Sequence, residues 1–167
     1  LILINHQSML DIIVMEHLHS RNIAWVAKKE ITDLFFFGHI IKAPRMISID
    51  RENKAGLIHL LSEAKDRLSK GRPIAMFPEG TRSDGTYIGE FKAGAKMVGN
   101  KFNLKVQPVV MFNTRNIVNS QKMEASPGVV KVIYLKPVVA SKDTSWYEDC
   151  EKNMKEVFEK EYKNYVS

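Results

Sequence analysis

The chain predicts an α/β fold: a single domain with a mostly parallel mixed sheet flanked by helices. Three observations predict it. Short β-prone apolar runs alternate with segments of helical period, the order that builds parallel sheets. The length of 167 residues suits one domain, taken as residues 1–167, large enough to bury most of its surface without staples. Polar clusters follow several of the apolar runs, where open α/β sheets bind ligands beyond the carboxyl ends of their strands.

The elements follow in order. Residues 1–4, LILI, form a buried strand. Met9, Ile12, Ile13 and Leu18 suit a helix from Ser8 to about His19, with Ser8 as its cap. NIAWVA, 22–27, reads as a second strand, and Met46 to Ile49 as a third. Leu57, Ile58, Leu61, Ala64 and Leu68 recur with a helical period, and Gly71 stands where that helix stops. PIAMF, 73–77, is a short buried strand that leads into a polar loop. Phe91, Ala95, Val98 and Phe102 share one helix face, in a helix weakened by Gly94 and Gly99. Strands are expected over 106–112 and 129–135, with a long surface loop over 114–128. A last helix starts at Ser145, with Glu148 completing a capping box, and its apolar side is Tyr147, Cys150, Met154, Val157 and Phe158.

Composition narrows the classes of function. The formal charge is +6, from 25 Lys and Arg against 19 Asp and Glu, which favours an anionic partner. No stripe of aromatics interleaves with the basic residues, so nucleic acid is not the expected partner. One cysteine, Cys150, excludes an internal disulfide framework and a multi-cysteine metal cluster. No apolar stretch reaches the length of a membrane span. ITDLFFFGHII, 31–41, is the most apolar part, flanked by Lys28, Lys29, Lys42 and Arg45. It suits either core packing or a helix in an anionic membrane interface.

Two clusters carry candidate chemistry. In the first, Asn5-His6-Gln7-Ser8 with Asp11, five residues along a helix would set His6 and Asp11 about 140° apart. They meet only if His6 precedes the helix. Asp11 then holds one imidazole nitrogen and leaves the other free as a base. The alternative is that Asp11 serves the helix N-terminus and His6 the turn. Ser8 stands in no Gly-x-Ser-x-Gly elbow and is read as a cap, not a nucleophile. The second cluster is FPEGTRSDG, 77–85. Gly80 permits a tight turn, Thr81, Arg82 and Ser83 supply donors, and Arg82 has the fork to grip a phosphate. Arg51 has the same capacity from its own loop. Glu79 either fixes an arginine or accepts from a substrate hydroxyl. A solvated turn is the plain alternative.

Taken in order, NHQSMLD (5–11), ISIDR (47–51), FPEGTRS (77–83) and VQPVV (106–110), with FKAGA (91–95), resemble the conserved blocks of the PlsC-like glycerophospholipid acyltransferases. The best-known members of that family are 1-acyl-sn-glycerol-3-phosphate acyltransferases. The similarity covers roughly residues 1–140. It implies a glycerol-3-phosphate acyltransferase-like fold and transfer of a fatty acyl group from acyl-CoA or acyl carrier protein to the sn-2 hydroxyl of lysophosphatidic acid. Phosphatidic acid is the implied product. By the resemblance His6 is the general base and Asp11 its partner. Arg51, Glu79, Gly80, Thr81 and Arg82 form the acceptor's phosphate and glycerol site, and Pro108 belongs to the fourth block. No metal and no cofactor are implied. The implied location is the cytoplasmic face of a membrane with an anionic surface, reached peripherally or through an anchoring segment upstream of the present first residue. Another lysophospholipid as acceptor, a non-catalytic anionic-lipid-binding module, and a hydrolase using Ser8 or a His6-activated water are the alternatives.

Overall fold

The structure is a computed structural model that describes residues 1–28, 46–49, 54–120 and 122–166. In chain order it forms β1 (Ile2–Ile4), α1 (Leu10–Leu18), β2 (Ala24–Lys28), β3 (Ile47–Ile49), α2 (Lys54–Ser69), β4 (Ile74–Met76), α3 (Ala93–Phe102) and β5 (Lys105–Phe112). A single turn, α4 (Thr114–Ile117), leads into the hairpin β6 (Val118–Asn119) and β7 (Glu124–Ala125). Then come β8 (Lys131–Tyr134), β9 (Val138–Val139) and α5 (Trp146–Val166). The expected α/β class holds.

The main sheet runs β3-β2-β4-β1-β5-β8, with β9 also on β5. β1 to β5 pair in parallel, while β8 and β9 lie antiparallel to β5. Side chains alternate across it. Ile2, Ile4, Trp25, Val109 and Met111 pack with Met15 of α1 on one face. Leu1, Leu3, Ala24, Val26, Val110 and Phe112 pack with α2, α3 and α5 on the other. Because both faces are covered, the strands read as unbroken apolar runs. Each fully buried large side chain, Phe112 or Phe158 for example, contributes roughly 1.5–3 kcal/mol.

Local signals explain several boundaries. Gly71 takes φ +68°, and Gly71 N–H and Arg72 N–H donate to the carbonyls of Leu68 and Arg67. That pair of bonds is a Schellman ending of α2, as the sequence predicts. Gly99 weakens α3 for a packing reason: a Cβ there would lie 2.7 Å from Cζ2 of Trp146. Pro108 sits inside central β5, yet its missing N–H is harmless. It falls opposite the break between β8 and β9, where the side-chain amide of Gln107 bonds the carbonyls of Pro108 and Leu135.

Two expectations change. The stretch 114–128 is not all loop, because α4 and the β6–β7 hairpin lie within it. The capping box at Ser145 is not formed by Glu148. The Ser145 hydroxyl donates to Asp149 at 2.5 Å, and Glu148 pairs with Lys96 on α3. A cation within reach across the helix interface competes with a local cap. The apolar side of α5 is as predicted, with Tyr147, Cys150, Met154 and Phe158 buried. Burial pushes the Cys150 thiol up to about 12. The segment 31–41 with Lys29, Lys42 and Arg45 lies outside the described residues. Among the described residues no helix is long and apolar enough to cross a membrane.

Candidate active site

β4, β1 and β5 are neighbours and parallel, so the loops that leave them open at one edge of the sheet, with the β1 loop in the middle. As β1 ends, the Asn5 side chain continues its ladder. Its amide donates to the Met111 carbonyl at 2.9 Å and its oxygen accepts from the Met111 N–H at 2.7 Å. Gln7 adds a bond to the same carbonyl. The loop that carries His6 is therefore fastened to β5.

The His6 and Asp11 side chains meet, because His6 precedes α1 and Asp11 lies in its first turn. His6 Nδ1 and Asp11 Oδ2 are 2.8 Å apart. The same Oδ2 accepts the backbone N–H groups of Gln7 at 2.7 Å and Ser8 at 2.9 Å, and Oδ1 accepts the hydroxyl of Thr114. Asp11 is fully buried. An acceptor-only carboxylate satisfies all of these donors. Nδ1 of His6 is then the donor to Asp11, and in the neutral ring Nε2 is the acceptor. Nε2 has no hydrogen-bond partner among the described residues, and the ring is about 15% exposed. One face of the ring is stacked on Phe77, with centroids 3.7 Å apart and planes 11° apart, and Phe77 rests on Trp25.

The loop after β4 grips His6 by its backbone. Glu79 Oε1 accepts the His6 N–H at 2.7 Å, and the Ser83 N–H donates to the His6 carbonyl at 2.8 Å. The other Glu79 oxygen accepts the N–H of Gly89 at 2.7 Å. Glu79 is buried. That burial pushes its carboxyl above the usual carboxylate range. The amides of Gly89 and His6 pull against the shift, and the charge of Asp11 adds to it. Gly80 takes φ +75° and its N–H closes a turn on the Phe77 carbonyl.

The remaining expected residues sit as follows. Thr81 and Arg82 are exposed. The Arg82 guanidinium donates to the Ser120 hydroxyl at 2.7 Å, at the turn of the β6–β7 hairpin. Arg51 lies outside the described residues. Ser8 is buried, and its hydroxyl donates to the Val118 carbonyl at 2.6 Å while accepting the Leu10 N–H at 3.3 Å. It is a joint between loop and hairpin, not an activated nucleophile, and it does not cap α1 as expected: the N-cap is Met9, which makes no side-chain cap bond, because the Ser8 hydroxyl is drawn to Val118. Of two described clefts, one of about 360 Å³ involves Leu1, Lys105 and Tyr134, at the end of β1 away from His6. The other, about 240 Å³, borders Gln7, Gly85 and Arg115 beside the site.

A family model described as Acyltransferase matches residues 1–112. The 1-acyl-sn-glycerol-3-phosphate acyltransferase of Helicobacter pylori (strain J99 / ATCC 700824) is 42% identical over 167 residues, 97% of this chain and 69% of that protein. The chain belongs to the acyltransferase family. The resemblance seen in the PlsC-like blocks and the expected enzyme class, acyl transfer, are thereby borne out. A 1-acyl-sn-glycerol-3-phosphate acyltransferase from Salmonella typhimurium is 33% identical over 82% of this chain and 56% of its own length. This acyltransferase also shares its fold with the crystal structure of the 1-acyl-sn-glycerophosphate (LPA) acyltransferase PlsC from Thermotoga maritima. There the TM-score is 0.75 at 26% identity, over 99% of this chain and 66% of that one.

Three contributors to the candidate site carry no assigned part in the sequence motifs: Gly89 and Thr114 lie outside the two clusters, and Phe77 opens the second without a role. Phe77 stacks on the imidazole, Gly89 holds Glu79, and Thr114 meets Asp11. For Thr114 a signal existed: it directly follows the carboxyl end of a parallel strand, beyond Asn113.

Proposed function

We propose that this acyltransferase moves a fatty acyl group from a thioester, acyl-CoA or acyl carrier protein, to the sn-2 hydroxyl of 1-acylglycerol-3-phosphate, giving phosphatidic acid. The observation that carries the reading is the His6–Asp11 pair. One imidazole nitrogen is held at 2.8 Å by a buried carboxylate and the other has no partner among the described residues. The names of the relatives supply the acceptor.

In this reading Nε2 of His6 takes the proton of the acceptor hydroxyl as its oxygen attacks the thioester carbonyl carbon. The C–O bond forms, the tetrahedral intermediate collapses, and the C–S bond breaks. The imidazolium returns its proton to the leaving thiolate, so the enzyme ends as it began. Base help of this kind contributes roughly 10²- to 10⁴-fold. Asp11 fixes the tautomer and stabilises the imidazolium.

Arg82, with Arg51, holds the acceptor phosphate and so aims the hydroxyl at the carbonyl. Gly80 and Thr81 shape the turn that presents Arg82. Glu79 acts from beneath. Each of its oxygens accepts a backbone amide and the side chain is buried, so in this proposal it positions His6 and does not touch the glycerol. The net charge of +6 suits an anionic membrane surface that carries the lipid acceptor. The cytoplasmic face is where that acceptor meets soluble thioester donors.

Thiol release from acyl-CoA and from acyl-acyl carrier protein, followed with and without lysophosphatidic acid, tests the proposal. Release that requires the acceptor supports it. Release indifferent to the acceptor means hydrolysis, and no release from either donor means a lipid-binding module; either outcome rejects it.

A further inference from the structure

We infer that Thr114 is a positioning residue of the catalytic pair, and that the pair is in effect a relay Thr114–Asp11–His6. The inference rests on the reading of His6 as the base. Three features carry it. The Thr114 hydroxyl donates to Asp11 Oδ1, and Thr114 is fully buried, with no exposure to water that could replace the bond. The donors on Asp11 are unevenly shared. Oδ2 takes His6, Gln7 and Ser8, while Oδ1 takes Thr114 alone among the described residues. The terminal torsion of a carboxylate is soft, and the donors on Oδ2 all come from the loop and helix start that carry His6 and Asp11 themselves. The Thr114 bond adds a restraint on Oδ1 from the segment after β5, which resists tilting of the carboxylate against the imidazole.

The third feature is how Thr114 arrives there. Asn113 adopts φ +71°, which turns the chain sharply from β5 into α4 beneath α1. Its side chain secures that turn by donating to the Val129 carbonyl and accepting from Asn116. Thr114 Oγ1 also lies 3.2 Å from the Gln7 side-chain oxygen. A hydroxyl has one proton, and the nearer, anionic Asp11 takes it. Asp11 is thus held from the β5 side as His6 is held from the β4 side. The bond matters most when His6 becomes an imidazolium, since the carboxylate must then stay coplanar with a charged donor.

Thr114→Val keeps the shape and deletes the donor, and Thr114→Ser keeps the donor. Thr114→Val is expected to lower kcat about tenfold, a small part of what a general base contributes, with KM for lysophosphatidic acid unchanged. Thr114→Ser is expected to restore kcat. The downfield proton resonance of the carboxylate-bound Nδ1–H of His6 should move or vanish in Thr114→Val and persist in Thr114→Ser. If Thr114→Val does not fold, Thr114→Cys, a weaker donor, should give a reduced kcat. An unchanged kcat in the folded Val or Cys variant overturns the inference. So does a loss that only follows the folded fraction while the resonance stays in place. His6→Ala run alongside separates the two readings. If His6→Ala keeps full activity, the base assignment falls. If it is inactive while Thr114→Val is not, only the relay falls.

Discussion

The backbone N–H of His6 donates to Glu79 across 73 positions of sequence, at 2.7 Å. The candidate base is hung from the loop after β4 by a carboxylate, and Ser83 closes the same grip on the His6 carbonyl. Glu79 thus has a structural task that substitution of the charge alone disturbs.

Glu79→Gln shows this most directly. The side-chain amide offers one acceptor oxygen, whereas Glu79 serves two N–H groups, those of His6 and Gly89. One N–H is left facing an NH₂ group. The expected loss is about 1–3 kcal/mol of stability, the cost of an unmet buried donor, together with a lower kcat. Denaturant titration and steady-state rates measure both. Stability equal to that of the parent would rule out the grip.

The same residue gives a pH dependence of known sign. Burial raises the Glu79 carboxyl in the folded state. Between its unfolded and folded values the folded chain binds more protons. Its contribution is full below the ordinary carboxylate value and is lost as pH rises through the raised one. The stability of the parent minus that of Glu79→Gln, measured from pH 4 to 8, should therefore fall with pH across that window. A difference that rises with pH contradicts the assignment.

His6→Ala and Asp11→Asn separate chemistry from folding. His6→Ala should lower kcat by roughly 10²- to 10⁴-fold with circular dichroism unchanged. In Asp11→Asn an NH₂ group competes with the donors of Gln7 and Ser8, so stability falls along with kcat. Wild-type turnover by His6→Ala would end the general-base proposal.

Arg82→Lys tests the anion site. The guanidinium is exposed and meets only the Ser120 hydroxyl among the described residues, so an acceptor phosphate can take its place without unfolding anything. Lysine loses the planar fork. KM for lysophosphatidic acid should rise by about tenfold or more, matching the 1.5–3 kcal/mol of a hydrogen bond to a charged group. KM unaltered would give Arg82 another role.

Gly99→Ala sets two effects against each other. A helix interior gains roughly 0.8–1 kcal/mol when Gly becomes Ala. The new Cβ would sit 2.7 Å from the Trp146 ring and 3.1 Å from Ala140 Cβ, and overpacking costs about 1–3 kcal/mol. The ring does not swing aside cheaply, because its Nε1–H donates to Asn100 at 2.7 Å. A lowered denaturation midpoint is expected. A raised one would show that the α3–α5 contact yields.

Much of the fold was legible for local reasons. LILI, PIAMF and VQPVVMF read as strands because strands covered on both faces are apolar throughout. The helical period of α2 and the stop at Gly71 were equally plain. The capping box at Ser145 misled because Lys96, far away in sequence, draws Glu148 off. The hairpin within 114–128 escaped notice because strands of two residues leave no periodic trace.

The sequence by itself determined the five-residue spacing from His6 to Asp11. It also determined the strand-then-helix context that lets the two side chains meet, since a turn of chain fixes that geometry locally. What the tertiary structure decided is who holds them: Glu79 and Ser83 on the backbone of His6, Thr114 on the carboxylate of Asp11. Those bonds exist because β1 lies between β4 and β5. Strand order comes from long-range pairing and burial of both faces, to which the spacing of neighbouring residues carries no guide.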